Sequence, residues 1–294
     1  MTRLARVLSW ILLLSTGVAA WAADNHEQAC SVQSVSIEGQ SGLVYYPFAD
    51  RDEVGRLRLI IAARGQCRFG LALLPTSSAE LLGPGQPVSV TFRDMSDRIL
   101  PMNGNEQRWL RFEQTARGAE VDIALLLPRG QARRAGDYAN NFVARIFANG
   151  HPVREIDFPF SIRVAPQVDL RLAGNTKGQL GKSAGMNFGR LETGESLSAL
   201  LAVRANGAYN LTVTSDNHGQ LRHTSLSGDN TAVPYTAWLD GQQLSLHGGG
   251  DSRSYSTPHD GKHFRSITVQ IGDTRGRVAG DYGDCLRATI TTLQ

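Results

Sequence analysis

The sequence predicts an all-β protein made of two immunoglobulin-like antiparallel β-sandwiches, of which the C-terminal one lacks its last strand. Three observations predict this class: many glycines between short apolar runs, a motif that occurs once in each half, and no long stretch of helical periodicity. The 31 glycines favour short strands joined by tight turns. At roughly 150 residues per domain, 294 residues correspond to two domains, and 41% hydrophobic residues suffice for two packed cores.

Residues 1–22 have the three parts of a secretory signal peptide. Arg3 and Arg6 form a positive start, the mostly apolar run Val7–Val18 follows, and Ala20–Ala22 offers small residues for cleavage. The alternative is an uncleaved membrane anchor, but the apolar run is shorter than the ~20 residues that span a bilayer. We therefore expect export to the periplasm and then to the cell surface.

The charge of the chain argues against nucleic-acid binding. Thirty Lys and Arg against 27 Asp and Glu give a net charge of +3, and removal of the signal peptide takes away Arg3 and Arg6. No dense basic stripe accompanies the small excess that remains. The sequence therefore predicts no nucleic-acid partner.

The three cysteines suit an oxidising compartment. Cys30 stands close to the new N-terminus, and Cys67 follows in the same half of the chain. These two are the natural disulfide pair, which would tie the N-terminal strand to an inner one. Cys285 is then single, either a buried apolar filler or a thiol available for intermolecular pairing.

Short runs rich in β-branched and aromatic residues predict the strands of both halves. Each run is bounded by Gly, Pro or polar residues: Leu57–Ile61, Val88–Phe92 and Val121–Leu125 in the first half, and Leu200–Val203, Tyr209–Thr214, Tyr235–Leu239 and Ile267–Ile271 in the second. Asp240-Gly241, between Leu239 and Leu244, predicts a hairpin turn.

A repeated motif divides the chain into two halves. Ala135–Asn140 carries Ala-Gly-Asp-Tyr followed by a polar turn and a strand, and Ala279–Asp284 repeats this pattern. Gly-Asp provides a turn, and the tyrosine can bury its ring while its hydroxyl reaches a backbone group. We therefore expect two domains of similar architecture, at residues 23–165 and 166–294.

The two halves differ after this motif. The first half continues through one strand, turns at Asn149–Pro152 and makes another strand, with apolar residues at alternate positions from Phe158 to Val164. The second half has only one strand after its motif. A sandwich without its edge strand exposes an apolar groove and unpaired backbone groups, which another chain must cover.

Four motifs of the second half resemble spore coat protein U-like domains. Asn187–Gly194 is similar to the FG-x-L-x-x-G stretch of that family, and Asn206–Val213 is similar to its NG-x-Y-x-L-x-V strand. Val233–Gly241 resembles PY-x-x-x-L-x-G, and Ala279–Thr291 resembles the terminal AG-x-Y-x-D motif. The resemblance covers residues 169–294 well, and the residues that carry it are Phe188, Gly189, Tyr209, Tyr235, Gly280 and Tyr282.

Domains of this family occur in pilins and tip subunits of archaic, Csu-type chaperone–usher pili, where a neighbouring subunit supplies the missing strand. The resemblance implies three partners, namely a periplasmic chaperone, an outer-membrane usher and the donor strand of a neighbouring pilin, and it implies no cofactor. An ordinary pilin of this family also carries an N-terminal donor extension. Residues 23–29 are mostly polar and too few for a donor strand, which needs roughly ten residues. We therefore expect a two-domain tip adhesin, which accepts a strand and ends the fibre.

Adhesion would require apolar residues exposed in loops of the first domain. The candidates stand beside Gly or Pro in three segments: Tyr45, Tyr46, Phe48, Leu81, Leu82, Leu100 and Met102. The alternative for each segment is a core strand followed by a turn. If exposed, these side chains would contact an apolar abiotic or host surface, and the resemblance implies such hydrophobic loops.

Two further interpretations compete with the tip adhesin. One is a spore-coat or other envelope structural protein that shares the domain. The other is a secreted enzyme or carbohydrate-binding β-sandwich, but no GxSxG, HExxH or comparable catalytic signature occurs. The histidines of the second half match no metal-ligand spacing. The sequence therefore predicts a binding protein of surface attachment and biofilm formation rather than an enzyme.

Overall fold

The computed structural model describes residues 30–39, 42–75, 78–100, 110–113, 118–173, 183–248, 250–257 and 262–293. Within these ranges every helix or strand element is a β-strand, which confirms the predicted all-β class. The predicted signal peptide and Met102 lie outside the described residues.

We call the described residues between 30 and 165 the N-terminal unit and those between 166 and 293 the C-terminal unit. The strands of the N-terminal unit are β1 (Ser31–Gly39), β2 (Leu43–Tyr45), β3 (Glu53–Arg64), β4 (Arg68–Pro75), β5 (Glu80–Leu81), β6 (Val88–Ser89), β7 (Thr91–Asp94), β8 (Leu110–Glu113), β9 (Ala119–Leu127), β10 (Gly136–Ala148) and β11 (His151–Val164). Those of the C-terminal unit are β12 (Val168–Ala173), β13 (Ser196–Ala205), β14 (Tyr209–Ser215), β15 (Gln220–His223), β16 (Ala232–Leu239), β17 (Gln242–Gln243), β18 (Asp251–Tyr255), β19 (Lys262–Ile271), β20 (Tyr282–Gly283) and β21 (Leu286–Thr292).

Two sheets pack against each other in the N-terminal unit. One has the order β1-β3-β9-β7, and the other has the order β2-β11-β10-β4-β8, in which β2 pairs parallel to β11. Alternation of side chains across each strand places one face of each sheet in a shared core. Phe142 lies at the centre of this core, with its ring centroid 5.2 Å from that of Phe92 and 5.6 Å from that of Phe158.

The predicted disulfide joins Cys30 to Cys67, with a Cα–Cα distance of 5.1 Å. Cys30 directly precedes β1, and Cys67 directly precedes β4, which lies inside its sheet between β10 and β8. The bond therefore ties the N-terminal strand of one sheet to an inner strand of the other.

The C-terminal unit is also a two-sheet sandwich. Its larger sheet has the order β12-β13-β19-β16-β15-β20, with β17 on β16, and its smaller sheet has the order β18-β14-β21. Their inner faces share a second core, which includes Leu201, Val203 and Leu211. No sheet of the described residues contains strands from both units. This division is consistent with the predicted domain boundary after residue 165, which stays a prediction.

The structure divides one predicted strand and confirms one predicted turn. Val88–Phe92 was expected to form a single strand, but β6 pairs with β5 and β7 pairs with β9. Val88, Val90 and Phe92 are all buried, so the apolar alternation continues while the hydrogen-bonding partner changes. At the hairpin between β16 and β17, Asp240 and Gly241 have φ values of 51° and 78°, as a two-residue turn with two left-handed positions requires.

Candidate strand-acceptor groove and apolar loops

Strand β10 begins inside the first copy of the Ala-Gly-Asp-Tyr motif, and β21 follows the second copy. The two strands differ in their neighbours. β10 lies between β4 and β11, and β11 runs antiparallel to it over its whole length. β21 pairs with β14, and no other strand of the described residues pairs with it. One edge of β21 therefore presents backbone groups without a strand partner, which is an unstable arrangement for a sheet.

The inward side chains of these two strands occupy matching positions after the motif tyrosine but differ in burial. Those of β10 are fully buried, whereas those of β21 remain partly exposed. The matched pairs are Phe142 with Leu286, Ala144 with Ala288, and Ile146 with Ile290. On the N-terminal unit β11 covers this edge with Phe158, Phe160, Ile162 and Val164, all at 7% exposure or less. The difference in burial therefore follows from the absence, among the described residues, of a strand beside this edge of β21, because the apolar residues themselves are similar.

An apolar row on β12 completes a groove beside β21. β12 is the edge strand of the larger sheet and lies against β21. Val168, Leu170 and Leu172 point inward, pack against the second core and remain partly exposed. We call the space between these two edge strands the acceptor groove; it is lined by Val168, Leu170, Leu172, Leu286, Ala288 and Ile290.

The motif tyrosines make the same hydrogen bond in both units. The Tyr138 hydroxyl donates to the Arg134 carbonyl at 3.0 Å, and the Tyr282 hydroxyl donates to the Val278 carbonyl at 2.6 Å. This confirms the predicted contact between the tyrosine hydroxyl and a backbone group. The equivalence also shows that β10 and β21 leave corresponding corners of the two sandwiches.

Tyr209 and Tyr235, two further motif residues, belong to the second core. Tyr209 is fully buried, and Tyr235 is 7% exposed. The Tyr235 hydroxyl donates to Asp284 Oδ2 at 2.5 Å, and burial raises the pKa of this phenol. Asp284 also accepts from Ser215 Oγ at 2.6 Å and from the N–H of Cys285 at 2.8 Å. This network holds the start of β21 against β14 and β16.

Phe188, Gly189 and Gly280 have structural roles as well. Phe188 packs against the second core from the segment before β13. Gly189 has a φ of 62°, a left-handed conformation that favours glycine. At Gly280 the φ is 154°, and a Cβ atom there would lie 2.0 Å from His223 Nε2. These three motif residues therefore support the fold of the sandwich. None of them lines the acceptor groove.

Asn206 joins the two units. Its side-chain amide donates to the carbonyls of Arg133 at 3.0 Å and Ala165 at 2.9 Å, and its Oδ1 accepts from the Gln167 N–H at 2.6 Å. The Ala135 N–H donates to the Asn206 carbonyl at 2.9 Å. Asn206 is 4% exposed, so these bonds form in a buried environment. Sequence reasoning placed Asn206 in a motif but did not predict that it spans the junction.

A cavity of about 640 Å³ lies at this junction. Ile290 and Val168 line it from the acceptor groove, and Phe48 lines it from the N-terminal unit. The Phe48 N–H donates to Gln167 Oε1 at 2.9 Å, and the Arg204 guanidinium lies 4.1 Å from the centroid of the Phe48 ring. The groove therefore ends in a space that both units build.

Three of the predicted adhesive residues are core residues, so the prediction that they lie in exposed loops is wrong. Tyr45 and Leu81 are 0% exposed, and Leu100 is 6% exposed. The Tyr45 hydroxyl donates to the Pro128 carbonyl at 2.9 Å and accepts from the Gln131 N–H at 3.0 Å. All three side chains belong to the core although a turn lies near each of them, which is the alternative that the sequence left open.

Tyr46 and Leu82 are exposed, at 41% and 51%, and Phe48 is partly buried. Phe48 lines the junction cavity, and Tyr46 is two residues before it. Leu82 bonds Ala139, four residues after Ala135, whose N–H donates to Asn206 of the C-terminal unit. The Tyr45 carbonyl accepts a hydrogen bond from the N–H of Ala165 at 2.9 Å. Ala165 is the residue at which the chain passes from the N-terminal to the C-terminal unit. Their position therefore suits contacts at the junction better than contacts at a distal surface.

A hairpin at the other end of the N-terminal unit exposes two apolar side chains that sequence reasoning did not single out. Met95 is 64% exposed and Ile99 is 63% exposed. β7 pairs Thr91 with Leu126, near the junction, and Asp94 with Ile123, farther from it, so the turn after Asp94 points away from the C-terminal unit. The sequence signal that could have indicated this exposed hairpin is the polar turn Asp94–Asp97, which carries the apolar Met95.

The Asp94 carboxylate accepts three hydrogen bonds within this hairpin. The carboxylate is 5% exposed and accepts from the N–H groups of Ser96 and Arg98 at 2.9 Å each, and from Arg98 Nε at 2.7 Å. Burial alone would raise the pKa of Asp94, but these hydrogen bonds outweigh it and hold the pKa below its ordinary value. Asp97 adopts a φ of 64° in the same turn.

The described residues contain no group of three or more His, Cys, Asp or Glu side chains placed to hold a metal ion. They also contain no helix that is long and apolar enough to cross a membrane. Cys285 is exposed and has no disulfide partner, so the interpretation of a buried apolar filler is wrong.

A solved structure shares the fold of this chain, and a second one is reported beside it. One chain of the CsuC–CsuE chaperone–tip adhesion subunit pre-assembly complex, from archaic chaperone–usher Csu pili of Acinetobacter baumannii, matches 89% of this chain and 99% of its own length, with 14% identity and a TM-score of 0.53. The CupB6 tip adhesin of Pseudomonas aeruginosa matches 88% of this chain and 95% of its own, with 11% identity and a TM-score of 0.35. No family description and no curated protein matches the sequence. At such identities the first likeness shows a shared fold alone.

Proposed function

We propose that this protein is a tip adhesin of an archaic chaperone–usher pilus, whose C-terminal unit accepts a β-strand from a neighbouring subunit. The observation that carries the proposal is the unpaired edge of β21 beside apolar residues that β11 covers in the N-terminal unit. An incoming strand would pair with the backbone of β21 and bury the acceptor groove. Before assembly, a periplasmic chaperone would fill the same groove, and an outer-membrane usher would add the subunit to the fibre.

The shared fold supports the proposal. The solved complex with a TM-score of 0.53 contains a chaperone and a tip subunit of archaic pili. The motifs of the C-terminal unit resemble spore coat protein U-like domains independently of that likeness. A role in attachment and biofilm formation, rather than in catalysis, follows from the same assignment.

Co-expression with the periplasmic chaperone of an archaic pilus tests strand acceptance. Ala288→Asp places a charge inside the groove, whereas Thr289→Asp places it on the exposed face of the same strand. We expect the unchanged chain and Thr289→Asp to co-purify with the chaperone and Ala288→Asp to be lost. Equal co-purification of the two variants, or none for the unchanged chain, would contradict strand acceptance at β21.

Adhesion would use the hairpin of Met95 and Ile99, because it exposes apolar side chains at the end away from the junction. We expect Met95→Asp with Ile99→Asp to reduce attachment to an apolar surface while the number of pili stays normal. Leu82→Asp, at the junction end, is the matched control and should leave attachment unchanged. Normal attachment by the double variant would refute this placement.

A further inference from the structure

The acceptor groove continues into the junction cavity. Ile290, Thr291 and Thr292 form the last part of β21 and line the cavity of about 640 Å³. Val168, at the start of β12, lines it as well. Phe48 contributes an aromatic wall from the N-terminal unit, so a strand in the groove would end against both units.

The N-terminal unit indicates which end of an added strand would enter the cavity. β11 runs antiparallel to β10, and its first residue, His151, pairs with Ala148. Ala148 and Thr292 stand at the same distance after the motif tyrosines Tyr138 and Tyr282. A strand placed on β21 as β11 is placed on β10 would therefore begin beside Thr292, at the cavity.

The charges of the cavity favour an acidic side chain at that position. Arg171 pairs with Asp169 at 3.0 Å, whereas no carboxylate of the described residues forms an ion pair with Arg204. Arg204 instead lies over the Phe48 ring, which leaves its N–H groups available to a planar acceptor. Two arginines and one aspartate give this lining an excess of one positive charge.

We propose that the junction cavity binds the first residue of the incoming β-strand and prefers an acidic side chain at that position. Arg204 would bind the carboxylate, and Phe48 would cover the apolar part of the same segment. This proposal rests on the proposed function, because it requires a strand on β21. The new element is that the N-terminal unit contacts the incoming strand directly. Insertion of the strand and the relative position of the two units would then depend on each other.

Peptide competition on the exported full-length chain tests the proposal. Three peptides of alternating Thr and Val, acetylated at the N-terminus, differ only in a first residue of Asp, Asn or Lys. We expect the Asp peptide to displace a fluorescent reference peptide at about fivefold lower concentration than the Asn peptide, the scale of a partly exposed ion pair. The Lys peptide should bind more weakly than both.

Three substitutions locate the effect. Arg204→Gln should abolish the preference for Asp and leave the Asn peptide unaffected. Arg190→Gln is the matched control, because Arg190 is exposed near the opposite end of β13 and carries the same charge. Phe48→Leu, which keeps an apolar side chain, should weaken all three peptides but not a peptide shortened by its first two residues.

The outcomes separate the two proposals. If all three peptides bind equally, or if Arg204→Gln retains the preference for Asp, selection by the cavity is overturned while strand acceptance stands. If no peptide binds, strand acceptance and the selection that rests on it are both overturned. A preference that is lost in Arg204→Gln and kept in Arg190→Gln supports selection by the cavity.

Discussion

Truncation of Ile290 tests how much of the acceptor groove an added strand buries, with Ile146→Ala as a matched control. Both isoleucines stand at the same position after the motif tyrosine, but Ile146 is 0% exposed under β11 and Ile290 remains partly exposed. Full burial of an Ile side chain stabilises a fold by about 1.5–3 kcal/mol. Because Ile290 is already mostly buried, covering the rest of its surface is worth about 0.5–1 kcal/mol to an added strand.

We therefore expect Ile146→Ala to lower the free energy of unfolding of the N-terminal unit by about 2–4 kcal/mol, with or without a donor peptide. Ile290→Ala should cost the C-terminal unit less in the free chain, and it should weaken the affinity for a donor peptide about two- to fivefold. Calorimetry with and without peptide measures the unfolding of each unit, and titration gives the affinity. An unchanged peptide affinity in Ile290→Ala would refute the reasoning, because the side chain would then not contact the strand.

Three further changes test other parts of the structure. Cys67→Ser should lower the free energy of unfolding of the N-terminal unit by about 2–4 kcal/mol, and an unchanged calorimetric transition would contradict this. The depressed pKa of Asp94 stabilises the fold above the ordinary value of about 3.9, and this contribution is lost as the pH falls through the lower folded value. Melting curves below about pH 4 should therefore fall less steeply for Asp94→Asn than for the unchanged chain. Asn206→Ala leaves buried junction groups without a partner, at a cost of about 1–3 kcal/mol, and should speed amide exchange at Gln167; unchanged exchange would show that the junction does not depend on Asn206.

Much of the fold could be predicted because its signals are local. Alternation from Phe158 to Val164 correctly indicated a strand with one buried face, and Asp240-Gly241 correctly indicated a hairpin. Cys30 and Cys67 were paired correctly because only two cysteines stand in the first half. The division of Val88–Phe92 could not be predicted, since alternation reports which face is buried and not which strand is the neighbour.

The candidate site was predicted less well because exposure depends on distant residues. Tyr45 stands beside Pro47 in the sequence, yet Pro128 and Gln131 close over its hydroxyl. Met95 lies in the turn after β7 and remains 64% exposed, because the described residues place no strand above it.

The sequence by itself determined the all-β class, the twofold repeat and the inward face of each strand, because these depend on side-chain alternation and on turn residues within a few positions. Only the tertiary structure decided which edge of β21 is left without a strand among the described residues, and that the groove beside it ends at Phe48 of the other unit. The physical reason is that strand pairing and contacts between units join residues that are far apart in the chain. A local sequence pattern does not specify which distant residues form these contacts.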